Sequence, residues 1–300
     1  MPWKTPSTIS SDPPPFWLGC AVWAFADWVG SFYPPGTPSR DYLRCYGDRL
    51  TAVEGNTTFY AIPGPELVAR WCDEMPQRFR FCPKLHRSIS HDHPLATGLD
   101  DAAAFLERLQ PLGDRLGPLL LQLSPRYGPD RFDDLERFLR GWGDRHPLSL
   151  EVRHPDWYDA APAARLNDLL GEQGLGRAIL DTRPIYSGPD DPQVHSRNRK
   201  PCLPLASTLT SGYALVRLIT HPHSPRNLSY RQEWAERLQR WRSEGIEIFC
   251  FVHCPDERCS PANLIDLQTA LTALDPNWPA LPQPALPEQQ LTLSLEAPVS

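Results

Sequence analysis

Short apolar runs alternate with amphipathic stretches along most of the chain. The runs over 17–23, 50–56, 79–85, 119–123, 148–153, 176–181, 213–219 and 246–253 have strand length, and each predicts one β-strand. Between them the apolar positions switch to helical spacing. Leu99, Ala102, Phe105, Leu106 and Leu109 form one core-facing stripe, and Tyr230, Trp234, Leu238 and Trp241 form another. Ser39 is placed to cap a helix over 40–50, and Pro65 suits the first turn of one over 66–74. Further helices are expected over 130–142, 160–171 and 261–274. Only the connection 183–212 breaks the rhythm: it is proline-rich, lacks an apolar stripe and predicts a degenerate sixth helix. Strands alternating with helices imply parallel βαβ units. Closing them gives an α/β fold, a single (β/α)8 TIM-type barrel over 17–274 with Pro-rich tails at 1–16 and 275–300.

Composition adjusts this picture in three places. Proline supplies 35 of 300 residues, well above the typical ~5%, but it falls in the tails, the 183–212 connection and the strand-end loops. It punctuates the fold. No apolar run reaches the ~20 residues of a membrane span, and the N-terminus lacks a signal-peptide pattern. A cytoplasmic location follows, with the eight cysteines as reduced thiols. The net charge is −6 and the longest basic cluster is Arg197-Asn198-Arg199-Lys200, which disfavours nucleic acid as a partner. Lysine occurs only at 4, 84 and 200, so 27 of the 30 basic residues are arginine.

In a barrel of this kind the active site lies at the C-terminal strand ends. With charged positions facing the axis, the strands bring together Glu54 and Asn56, Lys84 and His86, Gln122, Glu151 and Arg153, Asp181, Arg217 and His253. Glu54 and Glu151 are candidate acid/base carboxylates across the mouth, at a spacing that suits an inverting glycosidase. Simple pairing with Lys84 and Arg153 is the structural alternative. Lys84 offers an amine whose pKa burial can lower, so a Schiff-base or acid/base role stands against that of a plain point charge. Asp181 would tune a cation. Arg153 and Arg217 would hold an anionic or hydroxyl-rich ligand, with Asn56, His86, Gln122 and His253 around it. Trp23, Trp28, Phe59, Tyr60, Tyr127 and Trp157 offer either a stacking rim or loop packing.

Three carboxylates balanced by three cations leave no ligand excess for a divalent ion, so no metal and no cofactor is expected. A metal-dependent isomerase or phosphodiesterase using Glu54, Glu151, Asp181 and His253 is the alternative enzyme, and a ligand-binding barrel without turnover is the third reading. Cys250, His253, Cys254 and Cys259 lack the paired spacing of a zinc site.

The segments 19–33 (GCAVWAFADWVGSFY), 53–60 (VEGNTTFY), 79–91 (FRFCPKLHRSISH), 116–127 (LGPLLLQLSPRY), 150–157 (LEVRHPDW) and 179–182 (ILDT) closely resemble the YecE-like family, a domain of unknown function. They span most of the barrel in order, and the resemblance implies a TIM-type barrel. The chain reads Arg217-Leu218-Ile219-Thr220 where the family continues with a His-Gly pair, and Val252-His253 where it has Asn-Asn. These departures imply an altered C-terminal half of the site, with His221 and His253 placed to supply polar groups. The combined expectation is a metal-independent hydrolase, lyase or isomerase acting on a small polar, sugar-like or phosphorylated substrate. The sequence leaves the oligomeric state open.

Overall fold

The computed structural model describes residues 15–187 and 200–283. The expected tails over 1–14 and 284–300, and 188–199 of the sixth connection, lie outside the described residues. The strands are β1 (Phe16–Cys20), β2 (Ala52–Gly55), β3 (Arg80–Pro83), β4 (Leu119–Gln122), β5 (Leu148–Glu151), β6 (Gly176–Arg177), β7 (Ile179–Asp181), β8 (Tyr213–Ile219) and β9 (Glu247–His253). The helices are α1 (Tyr42–Gly47), α2 (Pro65–Glu74), α3 (Arg87–Ser90), α4 (Leu99–Leu109), α5 (Phe132–Trp142), α6 (Ala160–Glu172), α7 (Arg183–Tyr186), α8 (Leu228–Ser243) and α9 (Ser260–Leu274). The sequence stripes become buried faces: Ala102, Phe105, Leu106 and Leu109 on α4, and Trp234, Leu238 and Trp241 on α8. Pro65 opens α2, where its missing N–H costs nothing. Ser39 makes no side-chain cap; it begins a 3-10 turn that precedes α1. The described part of the sixth connection holds one helical turn, α7.

All strand pairs are parallel, in a six-stranded sheet ordered β3-β2-β1-β9-β8-β7 and a three-stranded sheet ordered β4-β5-β6. The expected single closed ladder is therefore interrupted. Between β3 and β4 only isolated bridges remain, Phe81 with Leu116 and Lys84 with Leu120. The cause is in the sequence. Lys84 N donates to Gly55 O on β2 and Leu85 N to Leu120 O, so position 83 turns its nitrogen toward β4. Pro83 and the nearby Pro118 have no N–H to give to that seam. The expected sixth strand is split at Ala178, β6 pairing with β5 and β7 with β8.

The two sheets share one interior cluster, which includes Ala52, Cys82, Leu120, Ala178, Leu215 and Phe251. Gly19 lets β1 approach β2 closely, since a Cβ there would lie 1.8 Å from Ala52 O. The residues one step along each strand face the helices instead and build the larger core. Part of the expected C-terminal tail packs too: Trp278 is buried edge-on to Phe16, with ring centroids 4.7 Å apart. No described helix is long and apolar enough to cross a membrane.

Candidate active site

Strand register decides which polar side chains meet. Glu54 pairs across with Cys82, Gln122 with Glu151, and Arg217 with Phe251, so these positions share the face that carries the interior cluster. At its C-terminal end Arg217 donates from Nε and Nη2 to the two oxygens of Glu54, at 2.7 and 2.8 Å, and from Nη1 to Glu151 Oε2. Arg153 Nε donates to the other oxygen of Glu151 at 2.6 Å. His253 Nε2 lies 3.2 Å from Glu54 Oε2. Lys84 Nζ donates to Gln122 Oε1 at 2.8 Å and sits 3.9 Å from the centroid of the Phe59 ring. Glu54, Glu151, Arg217, His253, Gln122 and Lys84 are all buried.

These contacts set the charges. Burial pushes both glutamates up, but their partners together outweigh it: Arg217 and His253 hold Glu54 well below the carboxylate range, and Arg217, Arg153 and Lys84 hold Glu151 at about 2. Burial pushes His253 down to about 4 despite Glu54, so its imidazole is neutral at pH 7 and Nε2–H is the donor. Burial and then Arg217 lower Lys84 to about 7. The glutamates thus carry no proton to give at neutral pH, where each could act as a base but not as an acid. Both are partners of one guanidinium, and the lysine is the group poised to titrate.

Asp181 corrects the expected inward placement. Leu180 pairs with Arg217, so the next residue faces the other way. Its carboxylate accepts from Trp234 Nε1 at 2.7 Å and from Arg183 Nη2 at 2.8 Å, in the layer between β7 and α8. The aromatic rim also shrinks. Trp23 packs edge-on against Trp71 and Phe81; Trp157 is buried and donates to Tyr127 O; Trp28 is buried and donates to Glu257 O; Tyr127 is buried as well. Phe59 and the exposed Tyr60 remain at the rim. Asn56 ties the loop after β2 to Ala21 O at 3.0 Å. His86 caps α3 by accepting from Ser88 N and contacts Ser88 Oγ through the same nitrogen, rather than joining the cluster.

Three groups near the cluster escaped the sequence reading. Lys200 is held at the end of β7, where Thr182 Oγ1 donates to Pro201 O at 2.9 Å and the Tyr186 hydroxyl to Lys200 O. Burial, then Arg217 and Arg153, lower its amine to about 8. His91 stacks edge-on with Phe59 at 5.2 Å, and burial, then Lys84 and Arg153, lower its pKa. Glu257, on the loop after β9, is raised by burial and accepts from Ser260 Oγ. Lysine scarcity was the available signal for Lys200: two of the three lysines stand here.

Among the described residues no group of three or more His, Cys, Asp or Glu side chains is arranged to hold a metal. The oxygens of Glu54 and Glu151 already accept from guanidinium or imidazole groups. Cys250 pairs with Val216 on the face opposite His253.

A family model described as "Protein of unknown function DUF72" matches residues 17–290. The UPF0759 protein YecE of Escherichia coli K12 is 33% identical over 276 residues, covering 91% of this chain and 98% of the relative. A crystal structure of a DUF72 family protein from Enterococcus faecalis V583 superposes with a TM-score of 0.66 at 19% identity, covering 91% of this chain and all of that one. Another, from Thermotoga maritima MSB8, gives 0.66 at 18% identity over 85% and 98% of the two chains. At these identities the structural likeness speaks for the fold alone.

Proposed function

The chain belongs to the DUF72 family, and from that premise we propose that the strand-end cluster is the active site of a metal-independent enzyme for a small polar substrate bearing negative charge, sugar-like or phosphorylated. The frame would be a (β/α)8 barrel in which both sheets enclose the shared interior cluster, the seam at Pro83 and Pro118 bridged rather than laddered.

The observation that carries the reading is the surplus of cationic groups over carboxylates. Arg217 and Arg153 neutralise Glu54 and Glu151 by direct contact. Lys84 and Lys200 then remain, each depressed by the same guanidiniums. An anion entering here would be drawn toward the two lysines and the Arg153 guanidinium, and it would raise the pKa of both amines. Lys84 is the group that would exchange a proton with the substrate, since its pKa near 7 matches neutral operation. Glu54 and Glu151 would fix Arg217, Gln122 would orient Lys84, and His253 would hold Glu54.

Inorganic phosphate and a panel of sugar phosphates, each added to the purified protein, test the reading through the melting temperature. A saturable rise that is lost in Arg153→Ala is expected, with turnover of one panel member lost in Lys84→Met. Unsaturable shifts, or shifts equal for uncharged sugars, would sink the anionic substrate. Saturable binding with no turnover across the panel would favour a ligand-binding barrel.

A further inference from the structure

We infer that Lys84 forms an imine with the substrate, which is therefore an aldehyde or ketone that also carries an anionic group. The inference rests on the anionic-substrate reading above and extends it to covalent chemistry.

The surroundings of the amine carry the argument. An ammonium has three protons to place, yet among the described residues Nζ makes one hydrogen bond, to the neutral amide oxygen of Gln122. Among the described residues no carboxylate lies within ion-pair distance of it: Glu151 is taken by Arg153 and Arg217, and Glu54 by Arg217 and His253. The Phe59 ring face meets Nζ at 3.9 Å, a cation–π contact that offsets part of the cost of burying an ammonium, and the side chain is buried. A protonated lysine would have one acceptor and one ring face here but, among the described residues, no carboxylate to balance its buried charge. A neutral amine needs no counter-ion and presents a lone pair. The depressed pKa agrees with this geometry. In a chain that uses arginine for 27 of its 30 basic residues, this position keeps the one cationic side chain whose neutral form is a nucleophile.

The step balances without a further reactant. The Nζ lone pair attacks the carbonyl carbon, a C–N bond forms, and the carbonyl electrons move to oxygen. That oxygen takes one proton from Nζ and one from solvent, and leaves as water as the C–O bond breaks. The product is a protonated imine that retains one N–H. The Arg153 guanidinium and the Lys200 amine would receive the anionic group.

Glyoxylate, a small aldehyde carrying a carboxylate, is the probe, with sodium borohydride to reduce any imine to a stable secondary amine. Intact-mass and peptide mapping of the wild-type protein locate the label. Only Lys4, Lys84, Lys200 and the chain's N-terminus offer amines, so the site is decided without relying on a variant that misfolds. Labelling of Lys84 ahead of the other amines is expected, with loss of that label in Lys84→Arg and on competition with inorganic phosphate. Label spread evenly over the amines, or none at Lys84 while glyoxylate still raises the melting temperature saturably, would overturn the imine and leave the anion site standing. Neither label nor melting shift would remove both.

Discussion

Arg217 grips Glu54 through two parallel hydrogen bonds, Nε to Oε2 at 2.7 Å and Nη2 to Oε1 at 2.8 Å, with both side chains sealed from solvent. Its remaining nitrogen reaches Glu151, so one arginine bridges two buried carboxylates, with Arg153 supplying the second positive charge at Glu151. Removing it strands Glu54 where water cannot help and leaves Glu151 with Arg153 alone. Deleting one partner of a buried pair costs about 3–5 kcal/mol, and urea unfolding of Arg217→Met is expected to show a loss at least that large. Arg217→Lys should recover only part of it, because an ammonium cannot present the planar fork. Wild-type stability in Arg217→Met would mean that the carboxylates are far better solvated than their burial implies.

The titrating groups give stability a pH dependence of one sign at both ends. Glu151 falls from an unfolded value of ~4.3 to about 2 when folded, so its contribution is complete above the unfolded value and lost as pH drops toward 2. Lys84 behaves unlike a lysine that gains a partner. Its folded pKa of about 7 lies below the unfolded ~10.4, so between those values the unfolded chain holds the extra proton. Stability from this residue therefore rises with pH across that window, by up to about 1.4 kcal/mol per pH unit. Subtracting the Lys84→Met curve from the wild-type curve isolates the effect, and a flat difference between about pH 7 and pH 10 would contradict it.

Much of this was legible in the chain. Period-two and helical patterns placed nearly every element, since burial on one face is what both patterns record. Facing charged positions inward gave Glu54, Lys84, Gln122, Glu151, Arg217 and His253 correctly, and it failed at Asp181. There the rule that a charge seeks the axis met an exception: Trp234 and Arg183 supply partners in the helix layer, and a satisfied carboxylate can be buried on either face. The ladder breaks were less readable, because a proline's effect depends on which neighbour its nitrogen faces. Lys200, His91 and Glu257 come from loops, whose approach to the strand ends has no period to reveal it.

The outward position of Asp181 makes it a control for the site. Asp181→Ala leaves the Trp234 indole N–H without its acceptor in a buried layer, which costs about 1–3 kcal/mol, and it leaves Arg183 paired with Glu233 alone. Stability should fall by that order. Titration calorimetry with inorganic phosphate, below the lowered melting temperature, should give the wild-type affinity. A tenfold weakening would place Asp181 in contact with the ligand environment after all.

Gln122 offers a way to move the lysine without touching it. Its Oε1 lies 2.8 Å from Nζ, so Gln122→Glu sets a carboxylate against the amine with little change in shape. An opposite charge this close raises the pKa of a cation by about 1–3 units. Crowding against Glu151, its register partner across β5, is relieved by the same protonation of Lys84. Competitive acetylation at graded pH, read at the Lys84 peptide, reports the neutral fraction of the amine. The midpoint should move from about 7 in the wild type to the alkaline side in Gln122→Glu. In Gln122→Leu it should move the other way, because the lost hydrogen bond favours ammonium over amine. If both substitutions shifted the midpoint in one direction, packing around Nζ rather than its partner's charge would govern the lysine, and burial alone would have to account for its depression.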